Sequence, residues 1–397
     1  MLYAVLGLGV ASFVLSLILT RVMIWLSPKI GFVDQPGHRK IHANPKPLGG
    51  GVAMFWGFAI TFIAALVIAR YLNTPLRAQL ASRQIDILDA AYLPQGDFRL
   101  KTITVPDHKR AQAYIDGVKQ QTPVALGLLG AMLAMHILGL VDDKRALGPF
   151  LKLFIQIAIT TALVALFDLR ALTALDNLGL GRSPSIIVTV LWIGAITNAF
   201  NFLDNMDGLS AGVAAVCTTA FLITALSIGQ WFVAGSLALL LGSLLGFLVW
   251  NFPPAKIFMG DSGSLLIGLV LGVLTVRTTF LPNNVSFNAG WYAILAPIIV
   301  LALPLYDLIV VSILRMMNGK SPFVGDTNHF SHRLVRRGMS KRTAVLCLYL
   351  VTASTSIAAI LLPHVESSSG AILIFAQTIL ILCVVALLEQ HPLPADG

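Results

Sequence analysis

The chain has 397 residues, 57% of them hydrophobic and 11% charged, with a formal net charge of +9 and a mean hydropathy of +0.84. Soluble domains carry about 25% charged residues, so this balance excludes an ordinary soluble enzyme and points to an integral membrane protein. Cys217, Cys347 and Cys383 all lie inside apolar runs, which excludes a disulfide or zinc framework and makes them expected buried packing residues.

Taken in order, the chain offers eleven candidate membrane spans, at about 3–27, 49–70, 122–141, 148–167, 184–200, 208–228, 231–251, 263–280, 291–314, 343–362 and 369–388. The first has no basic leader and no small-residue cleavage site, so it reads as a retained helix rather than a signal peptide. The expected fold is therefore an all-α polytopic membrane protein. Alternate loops fall on two sides. One side, with loops near 28–48, 142–147, 201–207, 252–262 and 315–342, carries fourteen Lys and Arg; the short loops of the other carry Arg170, Arg182 and Arg277. The basic side is expected in the cytoplasm, which puts the N-terminus outside and the C-terminus inside. The chain reads as one transmembrane domain, 1–397, with an extracytoplasmic insert at 71–121. That insert is too polar to span, and no chemistry is legible in it.

The polar clusters worth arguing about all fall on the expected cytoplasmic side. Asn198, Asn201, Asp204 and Asp207 recur every third residue between two apolar runs. A helix would hold them near one face, and Gly208 allows a break after them. Carboxylates at a membrane edge cost enough to suggest function. Asp142 and Asp143 end another apolar run. A solvated helix end is the plain reading, and a hard-oxygen site for Mg²⁺ or Mn²⁺ is the sharper one. Lys152 and Gln156 follow one helical turn apart, where an inner-edge Lys either snorkels or meets a phosphate.

Further along, Lys256 precedes Gly260-Asp261-Ser262-Gly263-Ser264 at the start of an apolar helix. An N-cap explains the Asp and Ser plainly; glycines that let backbone N–H groups approach a phosphate, with Asp261 on its metal, explain the whole run. Asp326, His329, His332 and Arg333 form a late loop that suits substrate contacts better than zinc. Asp34, His38, Arg39, Lys40 and His42, followed by Pro45, Pro47 and Gly49-Gly50-Gly51, make a shaped first loop with cations for a phosphate or headgroup. There is no Walker A run, and the Asp204–Asp207 segment lacks the Glu of a calcium loop, with Ala215 in its place. Asp307 is the one clear mid-span acid, too little for a transporter, and no nucleic-acid partner is indicated.

Together these clusters resemble the polyprenyl-phosphate N-acetylhexosamine-1-phosphate transferases. They come nearest the bacterial branch that starts O-antigen, enterobacterial common antigen and teichoic-acid linkage units. Five motifs match in order, over nearly the whole chain except 71–121: Asp34…Arg39-Lys40…His42…Pro47…Gly49-Gly50; Asp142-Asp143 with Lys152 and Gln156; Asn198…Asn201…Asp204…Asp207-Gly208; Lys256…Gly260 to Ser264; and Pro322-Phe323…Asp326…His329…His332-Arg333. Two positions depart from that pattern: Asn205 stands where the family usually has Gly, and Ser331 where it usually has His.

The resemblance implies transfer of a sugar 1-phosphate, most simply GlcNAc-1-phosphate, from a UDP-N-acetylhexosamine to undecaprenyl phosphate. It implies a multi-pass enzyme of a bacterial cytoplasmic membrane, with the site built from five cytoplasmic loops, and a homodimer as a possible assembly. It also implies roles. Asp261, with Asn201, Asp204 or Asp142, holds Mg²⁺. Asp142 or Asp143 acts on the lipid phosphate. Lys40, Lys152 and Arg333 hold phosphates. Asp207 and Asn201 face the uridine, His329 the diphosphate or sugar, and Asn198 and His332 complete the binding set. Activity on UDP-MurNAc-pentapeptide, or a non-catalytic scaffold or transporter, stands as the alternative.

Overall fold

A segment surrounded by hydrocarbon has to close its own backbone hydrogen bonds, and a helix does so. The apolar runs form helices throughout. The computed structural model describes residues 1–35, 45–71, 88–92, 98–102, 107–278, 292, 295–321, 329–365 and 367–390. Its helices are α1 (Leu2–Lys29), α2 (Gly50–Tyr71), α3 (Asp107–Lys144), α4 (Pro149–Leu166), α5 (Ser183–Leu203), α6 (Leu209–Ser227), α7 (Trp231–Asn251), α8 (Asp261–Arg277), α9 (Ala296–Val300), α10 (Ala302–Met317), α11 (Phe330–Arg336), α12 (Lys341–Leu361) and α13 (Ser368–Gln390). Among the described residues, nine helices are long and apolar enough to cross a membrane. The eleven expected spans differ from this at two places. Helix α8 has 17 residues. The run expected at 291–314 is divided between α9 and α10. Pro304 explains that division: it has no N–H to give Val300, and its ring would collide with that carbonyl.

Contacts divide the chain into two units. Phe62–Gly127 brackets the expected insert; its described part includes a hairpin pairing Leu88–Tyr92 with Phe98–Thr102. Helix α3 starts at Asp107, well before the apolar run that was expected to begin it.

In the other unit, Met1–Thr61 with Leu128–Gly397, small residues decide which helices touch. Helix α1 packs along α7. Ser12 and Ser16 donate to the Leu239 and Ser243 carbonyls, each at 2.7 Å. A Cβ on Gly242 would lie 2.1 Å from the Gly9 carbonyl oxygen, so that position admits no side chain. Helices α5 and α8 run against each other in the same way. Gly268 and Gly272 face Thr197 and Ile193 backbone-close, and one turn further Ser264 meets Asn201. This ladder of small residues every fourth position delivers Asn201 to the first turn of α8. Of the three cysteines expected to be buried, only Cys217 is; Cys347 is half-buried, and Cys383 faces outward from α13, whose surface is mostly exposed and apolar.

The loops at one end are tied together. Phe258 N–H donates to the Pro47 carbonyl, and Gly50 and Gly51 N–H groups donate to Phe258 and Met259. Lys46 Nζ donates to the Ala255 carbonyl at 2.8 Å. Val33–Asp34 pairs antiparallel with Lys46–Pro47 and so closes the base of the first loop.

Candidate active site

The first turn of α8 is clasped by one face of α3, through positions 136, 139 and 143. His136 Nδ1 donates to the Ser262 carbonyl at 3.0 Å, its ring stacked on Phe55 at 4.5 Å between centroids. Gly139 leaves no room for a side chain: a Cβ there would stand 2.3 Å from Ser262 Cα. Asp143 accepts the Asp261 N–H at 2.7 Å and the Ser262 N–H at 3.2 Å, so both its oxygens cap the helix. A carboxylate there also suits the positive end of the helix dipole. Gly260, at φ +74°, turns the chain into this clasp.

Asp142 faces elsewhere, because neighbouring residues of a helix do not share a face. Its Oδ1 accepts the Leu147 N–H at 2.6 Å and its Oδ2 accepts from Lys152 Nζ at 3.1 Å. Lys152 is the node of the site. Its ammonium is paired with Asp261 Oδ2 and lies 3.4 Å from Asn201 Oδ1. Asn201 returns its amide to Asp261 Oδ1 at 2.8 Å and to Ser264 Oγ at 2.9 Å. Asp204 stands close by: burial first, then the charges of Asp261, Asp143 and Asp207, hold its carboxyl well above the ordinary range. Two carboxyl groups, those of Asp142 and Asp261, thus share one ammonium.

Among the described residues no group of three or more His, Cys, Asp and Glu side chains is arranged as a metal cage. Magnesium does not need one, since it commonly takes one or two protein carboxylates and completes its shell with substrate phosphates and water. Asp261 and Asp142 with the Asn201 carbonyl fit that donor set.

The expected single face of Asn198, Asn201, Asp204 and Asp207 is not formed. Helix α5 ends at Leu203, and Asp204 leaves helical geometry with ψ +47°. Asp207 instead accepts the Ala255 N–H at 3.0 Å, and Gly208, at φ +74°, donates to Asn251 Oδ1 at 2.9 Å. Asn198, one turn back from Asn201, donates to Gln156 Oε1 at 2.9 Å. It lines an apolar groove of about 680 Å³ between α4, α5 and α10, with Ile157, Ile187, Leu191, Phe202 and Met316.

The late loop supplies a second polar group, and two of its members were missed in the sequence. Buried Asp307, from α10, accepts from His329 Nδ1 at 2.9 Å and from the Phe330 N–H at 3.0 Å. Arg315, also buried, lies 3.4 Å from His329 Nε2 and 4.8 Å above the Phe202 ring. An acid and an arginine eight residues apart on one apolar helix were the available signal. His332 is half-buried 6.5 Å from the His329 ring, and Arg333 is half-buried beside it. Burial, then the neighbouring His329, pushes the His332 imidazole down to about 4. Arg39, Lys40, His42, Pro322, Phe323 and Asp326 lie outside the described residues.

The model of glycosyl transferase family 4 matches residues 125–279, the stretch that holds Asp142, Lys152, Asn201 and Asp261. The probable undecaprenyl-phosphate N-acetylglucosaminyl 1-phosphate transferase of Bacillus subtilis (strain 168) is 32% identical over 359 residues, covering 89% of this chain and 83% of that protein. The chain belongs to glycosyl transferase family 4. Other similar proteins are the decaprenyl-phosphate N-acetylglucosaminephosphotransferase of Mycolicibacterium smegmatis, 30% identical over 86% of this chain and 78% of its own, and the undecaprenyl-phosphate alpha-N-acetylglucosaminyl 1-phosphate transferase of Yersinia pestis, 26% identical over 82% and 75%.

The two positions that depart from the expected motifs, Asn205 and Ser331, meet in space. Ser331 Oγ donates to Asn205 Oδ1 at 2.5 Å, and Asn205 returns its amide to the Phe202 carbonyl at 2.8 Å. One departure supplies the partner of the other, and the bond ties the 204–208 turn to α11.

Proposed function

We propose that this family 4 member transfers N-acetylglucosamine 1-phosphate from UDP-N-acetylglucosamine to undecaprenyl phosphate, releasing UMP, at the inner face of a bacterial cytoplasmic membrane. The names of the relatives support the reaction, since each is described as moving that sugar phosphate onto a polyprenyl phosphate. One observation of the molecule itself carries the reading. The polar node at Lys152 and Asn201 lies one helical turn from Asn198, which lines an apolar groove. A prenyl chain has the chemistry of the groove, and its phosphate has the chemistry of the node.

In this proposal an oxygen of the lipid phosphate attacks the β-phosphorus of the UDP-sugar, and the bond from that phosphorus to the bridging oxygen breaks, leaving UMP with the electron pair. Phosphoryl transfer rests on positioning and charge neutralisation more than on covalent help. A phosphate monoester titrates at about pH 6, so the nucleophile needs little deprotonation. Lys152 neutralises and orients it, and Asp142 holds Lys152 in place. Asp143, whose oxygens are committed to backbone N–H groups, positions Asp261. Asp261, Asn201 and Asp142, with Asp204 beside them, would hold magnesium or manganese, which would supply charge neutralisation to the diphosphate and the departing UMP. Lys40, Asp207, His329, His332 and Arg333 belong to the donor side.

The test uses detergent-purified protein, Mg²⁺, undecaprenyl phosphate and radiolabelled UDP-GlcNAc. Butanol-extractable label with stoichiometric UMP is expected. No labelled lipid from UDP-GlcNAc, UDP-GalNAc or UDP-MurNAc-pentapeptide refutes the reading, and label from another sugar alone corrects the donor.

A further inference from the structure

Asp307 sits within a helix that is apolar on most sides, where a carboxylate is costly and needs a purpose. Its two oxygens have different partners, the ring Nδ1 of His329 and the N–H that opens α11. A carboxylate only accepts, so Nδ1 carries a proton. The other ring nitrogen, Nε2, faces a guanidinium that only donates, so Nε2 is the bare acceptor. The contacts therefore select one tautomer, and the carboxylate selects it from outside the late loop.

We infer that Asp307 is a positioning residue of the transferase site: by holding the proton of His329 on Nδ1 it leaves Nε2 to fix Arg315, and Arg315 in turn fixes the Phe202 ring in the wall of the groove. The chain of contacts has no gap. The Arg315 guanidinium lies over Phe202, and the Phe202 ring also meets the His329 ring edge-on at 5.8 Å. Phe202 adjoins Asn201, whose amide bonds Asp261, and its carbonyl receives the Asn205 amide. Asn205 is bonded to Ser331, two residues past His329. A rotated His329 would loosen the same wall from both sides. The inference rests on the reading of the site given above.

Asp307→Asn separates this role from a plain structural one. The amide oxygen can still accept the Phe330 N–H, while the amide nitrogen becomes a donor to Nδ1. The ring proton then moves to Nε2, where it meets the donors of Arg315. Turnover of UDP-GlcNAc should fall on the order of 10- to 100-fold, the usual range for a residue that orients a site residue from behind, with the thermal midpoint nearly kept. His329→Ala should cost a similar factor, and the double variant no more than either alone. Wild-type kcat/KM in Asp307→Asn, or losses that multiply in the double variant, would overturn the inference. A second pair guards against misfolding of that variant. His329→Gln can place an oxygen where Nε2 was, and His329→Asn can only replace Nδ1, so the Gln variant should keep more activity; the reverse order also overturns it. Absence of transfer by the wild-type protein would instead strike at the proposed reaction. UDP binding to wild type and Asp307→Asn, read by ligand-induced shifts in melting, then tests the positioning on its own: equal shifts would overturn it.

Discussion

Gly139→Ala adds one methyl group at the clasp between α3 and α8, and its effect can be worked from distances. The new Cβ would stand 2.3 Å from Ser262 Cα and 2.4 Å from Ser262 N, with Asp261 C at 2.6 Å. All three are backbone atoms, so no flexible side chain can swing aside. Reaching an ordinary contact of 3.4 Å requires α8 to retreat by about 1.1 Å. That movement pulls Ser262 from His136 and the helix cap from Asp143, and it carries Asp261 away from Lys152 and Asn201. Overpacking of this kind costs about 1–3 kcal/mol in stability. A shift of about 1 Å in a reacting group costs about 100-fold in rate, so the loss in kcat should exceed what stability alone explains. The assay is incorporation of label into butanol-extractable lipid, with melting followed on the same preparation. Gly130→Ala is the matched control. It lies on the same helix with nothing within 4 Å of its Cβ, and Ala there favours the helix by up to about 1 kcal/mol. A folded Gly139→Ala protein with wild-type turnover, or an equal loss in Gly130→Ala, would refute the claim that the clasp sets the position of Asp261.

Lys152→Ala should reduce turnover more than 100-fold, on the order of an electrostatic donor removed from a reacting site, because Asp142 and Asp261 are left facing each other without their shared cation; transfer above a tenth of wild type would contradict it. Asp143→Asn keeps one acceptor for the two N–H groups of α8 and should lower stability by about 1.5–3 kcal/mol, while Asp261→Asn should remove turnover with little change in melting; the opposite split would exchange their roles. Asn205→Gly and Ser331→Ala should be strongly non-additive, since each removes the same bond, and a coupling near zero in the double variant would make the pair incidental. His332 is held neutral down to about 4, against 6.5 for an ordinary imidazole. Between those values the unfolded chain binds the proton that the folded chain refuses. Stability should therefore rise with pH across that window and level off above it, and His332→Gln should flatten the slope in melting scans.

The helices were legible because composition and run length report them directly. Their ends were legible wherever punctuation was strong, as at Pro149 and Gly208. The join between α9 and α10 was not, because a window of hydropathy passes over Pro304 without a dip. The site was legible as residue types in order, but not as partners. Nothing local in Asp142-Asp143 says that one faces Lys152 and the other caps α8; the helical angle between neighbours decides it only once α8 is in place. The regular spacing of Asn198, Asn201, Asp204 and Asp207 suggested one helical face, and the end of α5 at Leu203 overrides it. In the sequence Asp307 is a lone mid-span acid, and Arg315 is one of the fourteen basic residues of the expected cytoplasmic loops. Their meaning comes from His329, which reaches them from a different part of the chain.

The groove between α4, α5 and α10 has lining residues that are also outward-facing: Ile187, Leu191 and Met316 are 56%, 64% and 55% exposed. An acceptor that enters there travels in two dimensions and never crosses water. Its effective concentration is then its mole fraction among the lipids or detergent around the protein, and not the amount per litre of buffer. Adding detergent at constant carrier and constant enzyme should slow the reaction by surface dilution, and a vesicle poor in carrier should starve the enzyme however concentrated the suspension.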